Sequence, residues 1–380
     1  MTRNLKRKAL FKTDSPPCCL RVNPLDPTIV YFGTYTLIKG NDRSGTIEVW
    51  KLSINSEYDI PDDGVVDADL LTSKAHNLKT ISTHGAVLDI KIDTKSLTTS
   101  DNFILLATAH STGNISFWKV NKQDPMDVKL TSNVQLFDQP DGDSETLITS
   151  INFHSTKNYL TFTTTTGIVG YYDYERMPNA EAVEHFSSEH SLEAWYGGWG
   201  NSPYLENVVF SGGDDAKLIA HDMREPTPVF ATDRIHDAGI VSILTSRRNW
   251  CEKVTDPFTI WTGGYDDHLC VLDLRAGVST GGNLFNGVPP LVREKHNLGG
   301  GVWRLIPAPG NGDNRVLTCN MYDGGRLLEY NPSTAQDVST KNYFKGDHSS
   351  ITYGGDWIDD AAITCSFYDN VVQVWDVQDK

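Results

Sequence analysis

Residues 260–275, IWTGGYDDHLCVLDLR, constrain the fold of this chain more than any other stretch. An apolar strand runs into small residues (Thr262, Gly263, Gly264) and a tight acidic turn (Asp266, Asp267). A second apolar strand follows, ending in Asp273 and Arg275. Residues 207–224, NVVFSGGDDAKLIAHDMR, repeat the plan without copying it. Two strands joined by a short turn cannot bury their own faces, so such a unit is stable only among several like it.

Seven such units can be counted along the chain, and their final strands recur at roughly 45–70 residues, the spacing of propeller blades with loop insertions. Prolines fall almost entirely between the strands, and helical periodicity is nearly absent. The expected fold is all-β, a seven-bladed propeller forming a single domain. Its blades are placed at about 16–75, 80–135, 146–186, 187–231, 232–290, 291–340 and 344–380. Residues 58–79, 121–145 and 277–288 read as rim insertions. The last unit stops after its third strand, so residues 5–12 are expected to supply the missing outer strand and close the ring.

Charge narrows the function. The chain carries 49 acidic and 33 basic residues, a net charge of −16, which argues against nucleic acid and suits a cationic substrate or a basic partner. The six cysteines (Cys18, Cys19, Cys251, Cys270, Cys319, Cys365) show no metal-ligand spacing, and four lie in or beside apolar strands, as reduced thiols of a cytosolic protein do. The basic N-terminus lacks a following apolar run, and no window reaches membrane-spanning length. The expectation is a cytoplasmic monomer with no metal or cofactor.

Several residues invite a chemical reading. Aligning the units puts Asp215, Asp266, Asp323 and Asp369 in the turns, and His190, His236 and His348 ahead of the first strands. A satisfied His–Asp pair rigidifies loops, so scaffold is the first reading for His236–Asp266 and His348–Asp369. The residue before each turn aspartate is expected at the central mouth: Ser111, Thr165, Asp214, Tyr265, Tyr322 and Tyr368. Three tyrosines and an aspartate there resemble a cage for an alkylated ammonium group, although tyrosine is also common at loop ends. Trp303 and Arg304, after Gly299–Gly301, belong to the same face. His110 lies outside the leading-histidine pattern and stands beside Ser111, as a general base or a packed polar residue. GVSTG at 277–281 matches a nucleophile elbow around Ser279, but no helix follows it, so a rim loop is the better reading.

The terminal Trp375-Asp376, with Asp173, Asp222 and Asp273 at matching positions, resembles the WD-repeat pattern. PPCCLRV (16–22), LATAHSTGNI (106–115), FSGGDDAKLIAHDMR (210–224), RIHDAGIVSI (234–243), TGGYDDHLCVLDLR (262–275), LGGGVWRL (298–305), YGGDW and TCSFYDN go further. Together they span nearly the whole chain and resemble one WD-repeat family, the diphthine methyl ester hydrolases of eukaryotic diphthamide biosynthesis, most closely its fungal members.

That resemblance implies a WD-repeat propeller that hydrolyses the methyl ester of methylated diphthine, a modified histidine on elongation factor 2. It carries over no residue roles. From the residues themselves, His110 or His236 is the candidate base, with Asp237 to orient His236. Ser111 is the candidate nucleophile on a covalent route, and Arg304 or a tyrosine hydroxyl the oxyanion donor. Asp214, Tyr265, Tyr322, Tyr368 and Trp303 are the candidate substrate-binding residues. The competing reading is a non-catalytic scaffold that docks a protein through the same face.

Overall fold

A computed structural model describes all residues except 1–2, 6, 39–41, 54–74, 138–145, 247–256, 280–281, 311–312, 332–336 and 378–380. Cys251 and part of the expected rim insertions lie outside the described residues. Among the described residues seven blades form a ring, each a four-stranded antiparallel sheet, the sixth with a short fifth strand added in parallel. Blade one is Pro17–Asn23, Asp26–Thr34, Thr46–Leu52 and Ala75–Ser82. Blade five is Ile240–Thr245, Thr259–Gly264, His268–Asp273 and Leu291–Asn297. The strand Leu291–Asn297 pairs with His268–Asp273, so it completes blade five, whereas the sequence reading opened blade six there. A charged, half-exposed strand (LVREKHN) carries little apolar signal of its own sheet.

The second strands are buried on both faces; Thr259–Gly264 is buried at every position. The reason is face-to-face stacking. Seven apolar clusters are present, one between each pair of neighbouring blades. One joins Leu244, Trp261 and Val271 of blade five to Val302, Val316 and Leu328 of blade six. Such packing supplies the stability that a lone sheet lacks.

The ring closes as the sequence implied. Arg7–Lys12 pairs antiparallel with Val371–Asp376 and becomes the outer strand of blade seven. Phe11 then stacks on Trp50 of blade one with centroids 5.1 Å apart. Arg3–Asn4 adds a second clip that the sequence reading did not include, pairing parallel with the outer strand of blade six, Val338–Phe344. Among the described residues no helix is long and apolar enough to cross a membrane.

The innermost strands share a feature invisible in composition. In all seven blades the pairing with the second strand slips by one residue at the same place. The extra residues are Cys18, Leu88, Thr149, Trp195, Val241, Trp303 and Tyr353. A β-bulge bends its strand and re-aims the unpaired side chain. Repeated seven times around one axis, it builds a ring of such side chains at the mouth of the central channel.

Candidate functional site

Three of the bulge residues are aromatic, and they meet at the mouth. Trp303 of blade six is the hub: its ring lies 5.7 Å from Trp195 of blade four, 6.0 Å from Tyr265 of blade five and 4.9 Å from Tyr353 of blade seven. The planes are tilted by 59°, 36° and 43°, so the rings form a dish and do not stack flat. Phe367 extends it from Tyr353 towards Tyr35 of blade one. Trp195 donates Nε1–H to Asp214 Oδ1 at 3.0 Å, fixing that carboxylate at the rim. Burial raises the Tyr265 phenol above its ordinary range, and the nearby carboxylates of Asp214 and Glu193 push it further. One side of the dish is therefore acidic.

Tyr322 and Tyr368 are not level with Tyr265. Backbone pairing puts Met321 and Phe367 at that height, because Asp323 and Asp369 stand three residues past the last paired positions, Asn320 and Ser366, whereas Asp266 stands two past Gly264. Tyr322 and Tyr368 are 58% and 72% exposed, on the outer rim. Counting back from the turn aspartate gave the wrong register. Trp195, Tyr353 and Glu193 belong to the dish and were missed; Trp195 and Tyr353 each sit five residues after a leading histidine, His190 and His348.

Beneath the dish the channel is charged. Arg304, one residue past the Trp303 bulge, holds its guanidinium carbon 5.4 Å from the Trp303 ring. Across the channel Asp89 binds Lys91 Nζ with both carboxylate oxygens at 2.6 Å and accepts the amides of Ile90 and Ile151. Burial would raise the Asp89 carboxyl, but Lys91, Arg304 and Arg21 outweigh it and hold it low. Burial brings the Lys91 ammonium down to about 8 against the pull of Asp89. Cys18 faces the same space, and burial pushes its thiol up to about 12, leaving it protonated at neutral pH.

The expected catalytic histidines stand elsewhere. His236 is buried with Nδ1 2.8 Å from Asp266 Oδ1 and Nε2 2.9 Å from Thr262 Oγ1, a strut that fixes the turn to the blade. In blade seven the link runs through a hydroxyl: His348 Nδ1 lies 2.7 Å from Ser366 Oγ, which donates to Asp369 at 2.6 Å. His110 is fully buried, with Nε2 2.8 Å from Thr108 Oγ1. Burial drops it to about 3. It replaces a leading histidine: in blade five the matching residue is Gly264, whose missing Cβ leaves room for His236. Ser111 Oγ accepts the Ala86 amide at 3.0 Å and is buried. The Asp237 side chain, 86% exposed, takes a bond from Lys295 and does not touch His236. Ser279 sits in a rim turn, its oxygen accepting the Asn283 amide. The structure thus brings together Asp214, Tyr265, Trp303 and Arg304, and leaves His110, Ser111, His236 and Asp237 in the blades or on the surface.

The chain is 34% identical to diphthine methyltransferase of Saccharomyces cerevisiae, covering 96% of each. It is 32% identical to that of Schizosaccharomyces pombe over 72% of this chain and 74% of that one. The chain belongs to the diphthine methyltransferase family. The human diphthine methyltransferase is more distant, 28% identical over 48% of this chain and 36% of its own. No family model matches. A chain in the crystal structure of the mitotic checkpoint complex superimposes with a TM-score of 0.62 at 14% identity, covering 99% of this chain and 93% of that one; this likeness concerns the fold alone. Within the diphthine methyltransferase family, then, the open end of this propeller presents an aromatic dish over a half-buried guanidinium.

Proposed function

We propose that this protein hydrolyses the methyl ester of methylated diphthine on elongation factor 2, at the mouth of its channel. The observation that carries the reading is the tilted aromatic dish, acidic on one side, set over Arg304. A trimethylammonium group is bulky, permanently charged and without hydrogen-bond donors, so ring faces and a nearby carboxylate are what attract it. With that group on the dish, the ester carbonyl a bond or two away reaches towards Arg304, whose N–H groups offer charge-assisted donors to the oxyanion. Water adds its oxygen to the carbonyl carbon and gives up a proton. The bond to the methoxy oxygen then breaks, methanol leaves with a proton and a carboxylate remains. Lys91 in its amine form is the base of this reading, since it is the channel group that titrates nearest neutrality. The cytoplasm, where elongation factor 2 works, is the matching location.

The name of the relatives favours a second reading, methyl transfer onto diphthine. One assay separates the two. Elongation factor 2 carrying methylated diphthine is incubated with the purified protein and followed by mass spectrometry, with and without a methyl donor. Loss of one methylene without donor supports hydrolysis. Gain of one methylene on unmethylated diphthine, only with donor, supports transfer. Binding with neither change makes the propeller a scaffold.

A further inference from the structure

We propose that Arg304 forms a carboxylate subsite under the dish, so that dish and channel together bind a quaternary ammonium and a carboxylate carried on one short chain. The inference rests on the reading above for the dish, and extends it from the ester to the acid product and to free zwitterions of the same chemistry.

Three observations carry it. First, Arg304 makes no hydrogen bond and no ion pair with any described residue; what it meets is the Trp303 ring and the field of Asp89. A half-buried guanidinium with five donors and no anion is costly. Second, the carboxylates near it are already used. Asp89 is filled by Lys91 and two amides, and Asp356 accepts the amides of Val22 and Trp357 with Arg21 at 3.9 Å. Third, Arg21, Lys91 and Arg304 outnumber Asp89 and Asp356, leaving a local positive charge inside a chain whose net charge is −16. An anion with two oxygens matches the planar fork of arginine.

The two halves of the site select against partial ligands. A cation without a carboxylate lies over the dish facing the uncompensated charge of Arg304. A carboxylate without a cation must pass the acidic rim of Asp214 and Glu193. Only a molecule with both charges satisfies both. Because an acid presents a full charge to Arg304 where an ester presents a dipole, the hydrolysis product binds more tightly than the substrate and inhibits turnover.

The test uses the purified full chain and three small molecules: glycine betaine, choline and 3,3-dimethylbutyrate, the last an uncharged-head isostere of betaine. Binding is followed by tryptophan fluorescence and calorimetry. Betaine is expected to bind at least about tenfold more tightly than either partial ligand, the worth of one charge-assisted pair. Arg304→Gln should erase the advantage over choline while choline itself binds as well or better; Trp195→Ala should weaken betaine and choline alike. Choline matching betaine on the unaltered protein, no binding of betaine, or Arg304→Gln weakening both cations equally would each overturn the subsite. Betaine binding without esterase activity would leave the subsite standing and remove the reaction. Esterase activity untouched by saturating betaine would do the reverse.

Discussion

Thr108 Oγ1 is held from two sides, by His110 Nε2 at 2.8 Å and by the Trp118 indole N–H at 2.9 Å. The same three-way junction occurs in blade seven, where His348 and Trp375 meet at Thr364. In blade four His221 takes the tryptophan's place, 2.8 Å from Ser211 Oγ, which also meets His190. His110 is thus a blade strut supplied from the second strand. Replacing it with alanine removes a filled ring and one partner of a buried hydroxyl, so His110→Ala should lower unfolding free energy by about 2–4 kcal/mol. Turnover per folded molecule should be unchanged. The exposed His84 gives the control: His84→Ala should alter neither denaturant midpoint nor rate. A large loss of kcat in His110→Ala at full folding would restore it as a base.

These struts make the fold acid-sensitive. Burial lowers His110 and His221 to about 3 and His348 to about 4, against about 6.5 in an unfolded chain. Between those values the unfolded chain binds more protons, so stability rises with pH there and falls as pH drops below about 6.5. Each histidine contributes a slope of about 1.4 kcal/mol per pH unit. Urea midpoints should be flat through neutrality and fall steeply below pH 6. His221→Phe, which keeps a ring and removes a proton site, should flatten the curve.

The dish makes a kinetic prediction. Trp195 is half-exposed and structurally dispensable compared with Trp303, so Trp195→Ala should raise KM for methylated-diphthine elongation factor 2 by about 3- to 30-fold, the range of one cation–π contact. Asp214→Asn should act in the same direction and lose its effect at high salt. Tyr368→Ala and Tyr322→Ala, at the outer rim, should change KM less than either. Equal effects from all four would mean a broad protein-docking face without an ammonium site.

Most of the fold was legible because each blade repeats one apolar strand–turn–strand pattern, and because the strand carrying Trp375-Asp376 is only the third of its blade. The mouth was only half legible. Tyr265, Asp214, Trp303 and Arg304 were found by position. Tyr322 and Tyr368 were misplaced because the turn aspartates of blades six and seven, Asp323 and Asp369, stand one position further from the paired strand than Asp266 does, a shift unmarked in composition. His110 misled for a physical reason: a buried strut and a catalytic base use the same side chain, and only the Thr108 contact distinguishes them. Asp89 and Lys91 were invisible because an alternating DIKI segment reads as an edge strand, whereas the ring geometry turns that edge into the channel wall.

If Lys91 is the base, hydrolysis should follow its titration. Its amine form grows as pH rises through about 8, so kcat should climb towards a plateau above that value. Lys91→Met should remove the pH-dependent limb, leaving a slower, flat profile. Loss of activity with the limb intact would assign Lys91 to holding Asp89 in place.

Closure can be tested apart from chemistry. Phe11 sits in the cluster shared by blades seven and one, stacked on Trp50 and edge-on to Phe32, while its backbone continues the ladder to Val372. Phe11→Ala keeps the ladder and empties the cluster, which should cost about 3–5 kcal/mol. Deleting residues 1–12 removes both, together with Leu5, buried against Trp357 and Trp375 of blade seven. The melting temperature should therefore fall further in the deletion than in Phe11→Ala. The dish should suffer with it, because Tyr353 belongs to blade seven and Phe367 reaches Tyr35 across the same seam. Equal melting of the two variants would place the whole weight of closure on the apolar seam and none on the strand pairing. An unchanged melt in both would refute closure by the N-terminal strand.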